Sequence, residues 1–241
     1  MEKVEWGWVI FGKPRQMGQW QKAWENLCSG VQIINNKKGD HFGIAGSNQN
    51  FEFSGYIELL NAMNTAGPYV IANDTWFKTH NSVLWNRLLR VFLRKKRLVN
   101  CIYGDIRTEV SPFLEKPSPY LSSWIFYIPN RDSLVGFRSC LELAIKDAQL
   151  ANFTPEYVAY VEDWLQPQNR LYGWHIKSNE KEVKERKRQS IYIEHALNVR
   201  LIQAGFQLVS LGDHHKLLYK IIRLLDRLQT RLFAWGLYRF T

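Results

Sequence analysis

Cysteine is scarce in this chain: Cys28, Cys101 and Cys140 are the only three in 241 residues. Three scattered thiols build neither the disulfide framework of a secreted domain nor the paired spacing of a zinc site, so a reducing compartment is expected. Long hydrophobic runs are absent too, and none approaches the ~18 residues of a membrane span. The opening MEKVEWGWVIFGK sets acidic residues ahead of a short apolar stretch and has no small-residue cleavage site, so it is not a secretory signal. Acidic residues are in deficit, 22 against 32 Lys and Arg, for a net charge of +10. That excess points to anionic partners: nucleotide phosphates, phospholipid headgroups or nucleic acid. Nucleic acid is the weakest of these, because no finger, RNP-like or Gly-Lys phosphate motif appears and the cations cluster on amphipathic segments.

What is present is ample core material. An apolar content of 46% over this length supports one large domain. Residues 6–11 form an apolar run, and residues 15–27 carry Met17, Trp20, Ala23, Trp24 and Leu27 at helical spacing, with Gly30 as the stop. Short buried-strand patterns follow at 31–34 and 69–73, separated by a helical pattern at 54–66. Strand, helix, strand, helix, strand at this spacing predicts a mostly parallel α/β sheet with right-handed crossovers. Further on, helices are expected at 81–93, 133–150, 155–165 and 190–204, and strands at 98–106, 120–128 and 206–211. The stretch KSNEKEVKERKR at 177–188 has one apolar residue and reads as a solvated loop, an exposed helix or a lid. The expected organisation is a domain over 1–212 and a C-terminal helix over 213–241.

The pattern at 69–73 delivers Asn73, Asp74 and Thr75 to a strand end, where ligands bind in α/β sheets. Before it lie a Gly46-Ser47-Asn48 turn and Glu52, which would contact a ligand or pair with one of the many cations. Asp105, in CIYGDIR, reads as a turn residue or an acceptor-pocket group. Trp124 reads as core or as a stacking platform. His214 and His215 read as surface residues or a late metal ligand.

Taken together, VQIINN, the GSN turn, FEFSGY and YVIANDT resemble the landmarks of GT-A glycosyltransferases, of the kind that build bacterial polysaccharides and lipopolysaccharides. YIEHALNVRLIQAGF is similar to their late helix when Arg200 and Gly205 serve as anchors. The resemblance covers residues 6–77 and 190–211. It implies a GT-A-like (Rossmann-like) fold and transfer of a sugar, with inversion, from a nucleotide-sugar to a glycan or lipid-linked acceptor. It implies donor contacts from Asn35, Asn48, Glu52, Asn73 and Asp74, a divalent cation (Mg²⁺ or Mn²⁺) at Asp74, and Glu194 as catalytic base. Two departures stand out. The family's Asp-any-Asp motif is reduced to Asn73-Asp74-Thr75, and its acidic pair to Ile193-Glu194. These leave open a non-catalytic relative acting as a membrane-bound partner in an assembly complex.

The chemistry has its own requirements. Glycosyl transfer needs charge stabilisation on the departing phosphates and a base for the acceptor hydroxyl. One carboxylate plus substrate phosphates is enough to hold a hard cation. Near the C-terminus, Lys216, Lys220, Arg223, Arg227 and Arg231 recur at helical spacing among many Leu and Ile, with Asp226 the only acid. Such a helix is expected to lie on an anionic membrane, with a second basic patch at 87–97 sharing that surface. The expected location is therefore cytoplasmic, peripheral on the inner face of the cell membrane.

Overall fold

A computed structural model describes residues 3–78, 82–94, 98–107, 120–166, 181–213 and 215–234. Its strands are β1 (Val4–Ile10), β2 (Cys28–Asn35), β3 (Ile44–Ala45), β4 (Tyr69–Asn73), β5 (Cys101–Arg107), β6 (Tyr120–Ile128) and β7 (Gln207–Ser210). Its helices are α1 (Met17–Trp24), α2 (Glu52–Ala62), α3 (Thr75–Lys78), α4 (Ser82–Phe92), α5 (Arg131–Leu150), α6 (Pro155–Leu165), α7 (Lys181–Gln203) and α8 (Lys216–Ala234). The strands form one seven-stranded sheet in the order β3-β2-β1-β4-β6-β5-β7. All neighbours are parallel except β6, which runs antiparallel to both β4 and β5. The expected mostly parallel α/β architecture is therefore present, with one reversed strand in it.

β1 shows why this sheet is covered on both faces. All seven of its residues are buried, and alternation sends Val4, Trp6, Trp8 and Ile10 to one face and Gly7 and Val9 to the other. On the first face Trp6 and Trp8 stack at 5.3 Å and meet Trp20 and Trp24 of α1 edge-on. Helices α3, α4 and α8 complete that layer through Trp76, Trp85, Leu88, Leu89, Phe92 and Ile222. On the second face α2, α5 and α7 pack, and α2 comes so close that a Cβ on Gly7 would lie 2.5 Å from Leu59 Cδ2. α6 attaches to α7 through Tyr157, Val161 and Leu165. Among the described residues no helix is long and apolar enough to cross a membrane.

Several expected boundaries shift for physical reasons. Gly30 does not end a helix: α1 stops at Trp24, and Gly30 lies inside β2, paired with Glu5. Of the three readings open for the charged run at 177–188, the helix is the one present over its described part: 181–188 is the first third of a continuous α7, half-buried over most of its length rather than fully exposed. Its charges have partners. Arg188 pairs with Glu185 and Glu162, and Arg186 Nη2 donates to the Asn48 carbonyl. Glu194 is consequently mid-helix rather than in a first turn. Gly205, at φ +86°, does end α7, as a residue that needs no Cβ in the left-handed region should.

Candidate functional site

Strand order reverses at β1, with β2 and β3 on one side and β4 on the other, and crevices open at the carboxyl ends of strands at such a point. Asp74 stands there, immediately after β4. Its side chain is nearly buried; Oδ2 accepts the Phe11 N–H (3.2 Å) from the loop after β1 and pairs with Lys78 Nζ at 2.5 Å. Asn73 fixes the turn, its Oδ1 accepting the Thr75 N–H at 3.0 Å. Asn35, at the end of β2, is used fully inside the protein. Its Oδ1 accepts Gly12 N–H (2.9 Å) and Lys37 N–H (3.0 Å), while its Nδ2 donates to the Phe42 carbonyl (3.0 Å). Asn35, expected among the donor contacts, thus also serves as a clip that sets the shape of two loops.

Those loops enclose an open cleft of about 380 Å³ whose lining includes Lys13, Arg15, Lys37 and Lys78 together with Asp40 and Asp74. Four cations around two carboxylates leave it positive. Asp40 is held below the usual carboxylate range by the Phe42 N–H it accepts and by nearby Asn35 and Lys37. An anion with several oxygens, such as a diphosphate, is the ligand whose charge fits this lining.

The reversed strand brings the second half of the site to the same edge. Because β6 is antiparallel, its first residues lie at the carboxyl ends of its parallel neighbours, and the register facing Ala72 with Ile125 carries on to set Asp74 level with Ser123. Ser123 N–H donates to Glu194 Oε1 at 2.6 Å, and Tyr56 OH donates to the Ser123 carbonyl at 2.5 Å. Tyr56 lies one helical turn from Glu52 on α2, with the Asn73 side chain near enough to its hydroxyl to favour the ionised form. Glu194 in turn lies seven residues, two turns, from Lys187 along α7.

Lys187 is the centre of this group. Only 7% exposed, it sits with Nζ 4.0 Å over the Phe51 ring and feels the charges of Glu52, Glu194 and Asp74. Burial pulls its ammonium below the ordinary lysine range, with those three carboxylates opposing the shift. Burial likewise pushes the Glu52 carboxyl up, against the pull of Lys187. Tyr56 is raised by burial and then by the Glu52 charge. A neighbouring strap carries backbone strain: Asn48 has φ +52° and Phe51 has φ +51°, uncommon for residues with a Cβ. Arg186 holds that strap by bonding Asn48 and lying over Phe51 at 4.5 Å.

The structure therefore brings Glu52, Asn73, Asp74 and Glu194 to one edge, with Asn48 at its border and Asn35 behind the cleft. Asp105 belongs elsewhere. It is neither a turn residue nor part of this edge cluster, but a fully buried strand residue accepting Trp124 Nε1 (3.0 Å), Tyr219 OH (2.6 Å) and Arg223 Nη1 (3.0 Å). Trp124 is accordingly a core residue. His215 is exposed in the turn before α8, and His214 lies outside the described residues. Sequence reasoning missed Lys187 and the cleft cations. Lys187 was within reach from its two-turn spacing to Glu194, had the helix been read as continuous; Lys13 stands directly after Gly12 at the end of a buried strand.

Asp74 by itself makes a sparse cage for a divalent cation. One of its oxygens already serves Lys78 and Phe11, and no cluster of three His, Cys, Asp or Glu suited to a metal occurs among the described residues. Comparison of the chain with protein-family models, curated proteins and solved structures gives no match.

Proposed function

We propose that this protein is a glycosyltransferase of GT-A-like architecture that moves a sugar from a nucleotide-sugar to a lipid-linked or polysaccharide acceptor, at the cytoplasmic face of the cell membrane. The observation that carries the reading is the juxtaposition, where the strand order reverses, of a cation-lined cleft with a group of carboxylates gathered around the buried Lys187. In this reading the diphosphate lies against Lys13, Arg15, Lys37 and Lys78, and the sugar reaches past Asp74 towards Glu52, Lys187 and Glu194. Glu194, oriented by the Ser123 N–H, takes the proton of the acceptor hydroxyl. That oxygen forms its bond to the anomeric carbon from the face opposite the diphosphate, whose own bond to the carbon breaks, so configuration inverts. The negative charge released onto the diphosphate is met by the lysines and the arginine that line the cleft, an electrostatic stabilisation. A divalent cation, if used, would rest on Asp74 and the donor's own phosphate oxygens, adding positive charge beside the diphosphate.

A second reading, a non-catalytic partner that binds a sugar nucleotide, is favoured by one observation: Lys78 already occupies the carboxylate that a metal would use. Thermal-shift titration with UDP, GDP and dTDP and their sugars, with and without Mg²⁺ or Mn²⁺, separates the possibilities. A ligand at about 100 times its Kd adds about 2.7 kcal/mol to the native state. In a domain of this size that is an upward shift of about 5–10 °C. Asp74→Ala and Glu194→Gln should then abolish transfer while the fold survives. Absence of a shift with every nucleotide refutes nucleotide-sugar use, and full transfer by both variants refutes the site assignment. Binding without transfer to any acceptor favours the second reading.

A further inference from the structure

The C-terminal helix is docked inside out. The expected arrangement of α8 gathers all its cations on one face, but the structure turns Arg223 inward to Asp105, together with Tyr219. Asp226 is buried as well, accepting Trp85 Nε1 at 3.0 Å. With these polar anchors and Ile222 facing the domain, the apolar residues are left outside. Leu217 is 70% exposed, Ile221 44%, Leu224 58%, Leu225 37% and Leu228 44%. Their spacing puts them on one stripe of the helix, where a surface helix normally carries polar residues. Lys216, Lys220 and Arg227 are exposed along that stripe. α4, which packs beside α8 through Trp85 and Tyr219, adds exposed Val83 (74%) and Arg87 one turn further. Arg90, by contrast, turns inward over Trp24 and donates to the Ala23 carbonyl, so the basic patch expected at 87–97 is only partly a surface one over its described residues.

We infer that the outer stripe of α8 is a seat for an anionic lipid bilayer, with the leucines entering the headgroup–acyl boundary and Lys216, Lys220 and Arg227 reaching lipid phosphates. The interleaving of cations with leucines argues for this occupant. A second copy of the chain laid on the stripe would bring like charges together, whereas an anionic bilayer supplies apolar depth and negative charge at once. The position is also informative. β7 is parallel to β5, so α8 starts just beyond the same carboxyl edge that carries Asp74, with Leu217 in its first turn. The inference names the surface on which the acceptor of the proposed reaction would be met, yet binding to it requires no donor and no turnover.

The test uses the full chain and vesicle sedimentation, with phosphatidylglycerol mixed into phosphatidylcholine compared with phosphatidylcholine alone. Wild type is expected to partition onto the anionic vesicles at low ionic strength and to bind the neutral ones at least about tenfold more weakly. Adding about 1 M salt, where the screening length is about 3 Å, should reduce but not abolish binding, because the leucines remain inserted. Leu224→Asp/Leu228→Asp should weaken binding about tenfold or more with an unchanged melting temperature and an unchanged response to nucleotides, and Lys216→Glu/Lys220→Glu should remove the preference for anionic lipid. Absence of wild-type binding to anionic vesicles, or wild-type binding by both variants, overturns the inference. So does a dimer in light scattering that Leu224→Asp/Leu228→Asp dissolves while wild type ignores vesicles, which would give the stripe to a second copy. Failure of sugar transfer leaves all these readouts intact, so the two proposals fall separately.

Discussion

Replacing Asp105 with Asn should destabilise the protein by about 3 kcal/mol, because a buried charge that loses its partner is expensive. The carboxylate is completely buried and gathers Trp124 Nε1, Tyr219 OH and Arg223, with Arg107 Nε 3.5 Å away. Asn keeps the shape but removes the charge and points an N–H₂ at groups that are themselves donors. The guanidinium groups retain some water, with side chains 21% exposed for Arg223 and 28% for Arg107, which keeps the cost at the lower end of the usual range of about 3–5 kcal/mol. In a domain of this size, about 2–4 °C of melting temperature is lost per kcal/mol, so the expected fall is about 6–12 °C by calorimetry or circular dichroism. Adding Arg223→Met to Asp105→Asn removes the stranded cation and should recover part of the loss, with a coupling energy of about 1–3 kcal/mol. Trypsin should also cut the Asp105→Asn variant within α8 before the core melts, since that helix is anchored through this carboxylate. A melting temperature within about 1 °C of wild type, or strictly additive substitutions, would refute the reasoning.

Lys187→Met should abolish transfer, and its stability relative to wild type should decline in alkali. A lysine whose folded pKa lies below the ordinary 10.5 costs stability at every pH below that folded value, and the cost fades as pH rises towards 10.5, so wild type gains on the Met variant over that window. Glu52, whose carboxyl is raised above the ordinary 4.5, is the mirror case: its cost is absent below that value, grows as pH rises from there to the folded pKa and stays level above it. The Glu52→Gln minus wild-type difference in melting temperature should accordingly climb from acid to neutral pH, and a flat difference would count against the buried-cluster account.

Much of the fold was legible where local and tertiary signals agree. Tyr69–Asn73, Tyr120–Ile128 and Pro155–Leu165 lie at their expected limits, the last because Thr154 caps the Tyr157 N–H and Pro155 opens the helix. The start of α7 stayed open between loop, helix and lid because its charges are satisfied by distant groups: Arg188 by Glu162, Arg186 by Asn48, Lys187 by Phe51 and the carboxylates around it. Periodicity marked α8 as two-faced, but which face meets the domain depends on Asp105, some 114 residues away from Tyr219. Local composition cannot weigh a buried carboxylate in another strand. For the site, strand-end reasoning located Asp74, and the antiparallel β6 that sets Glu194 beside it was invisible to that reasoning. The cleft cations come from separate loops and gather only once the sheet forms.

The tryptophans packed around β1 have a spectroscopic consequence. Trp6 and Trp8 stack at 5.3 Å with 12° between their planes, Trp76 lies 6.0 Å from each, and contacts run on through Trp124 to Trp85. Rings this close share excitation, so their combined emission and their exciton dichroism depend on the geometry of the whole set. Trp76 follows Asp74 by two residues, and Phe77, which lines the cleft, lies 4.9 Å from Trp8. A ligand that shifts this turn perturbs the entire array, and the chain carries its own optical reporter of occupancy without any added label.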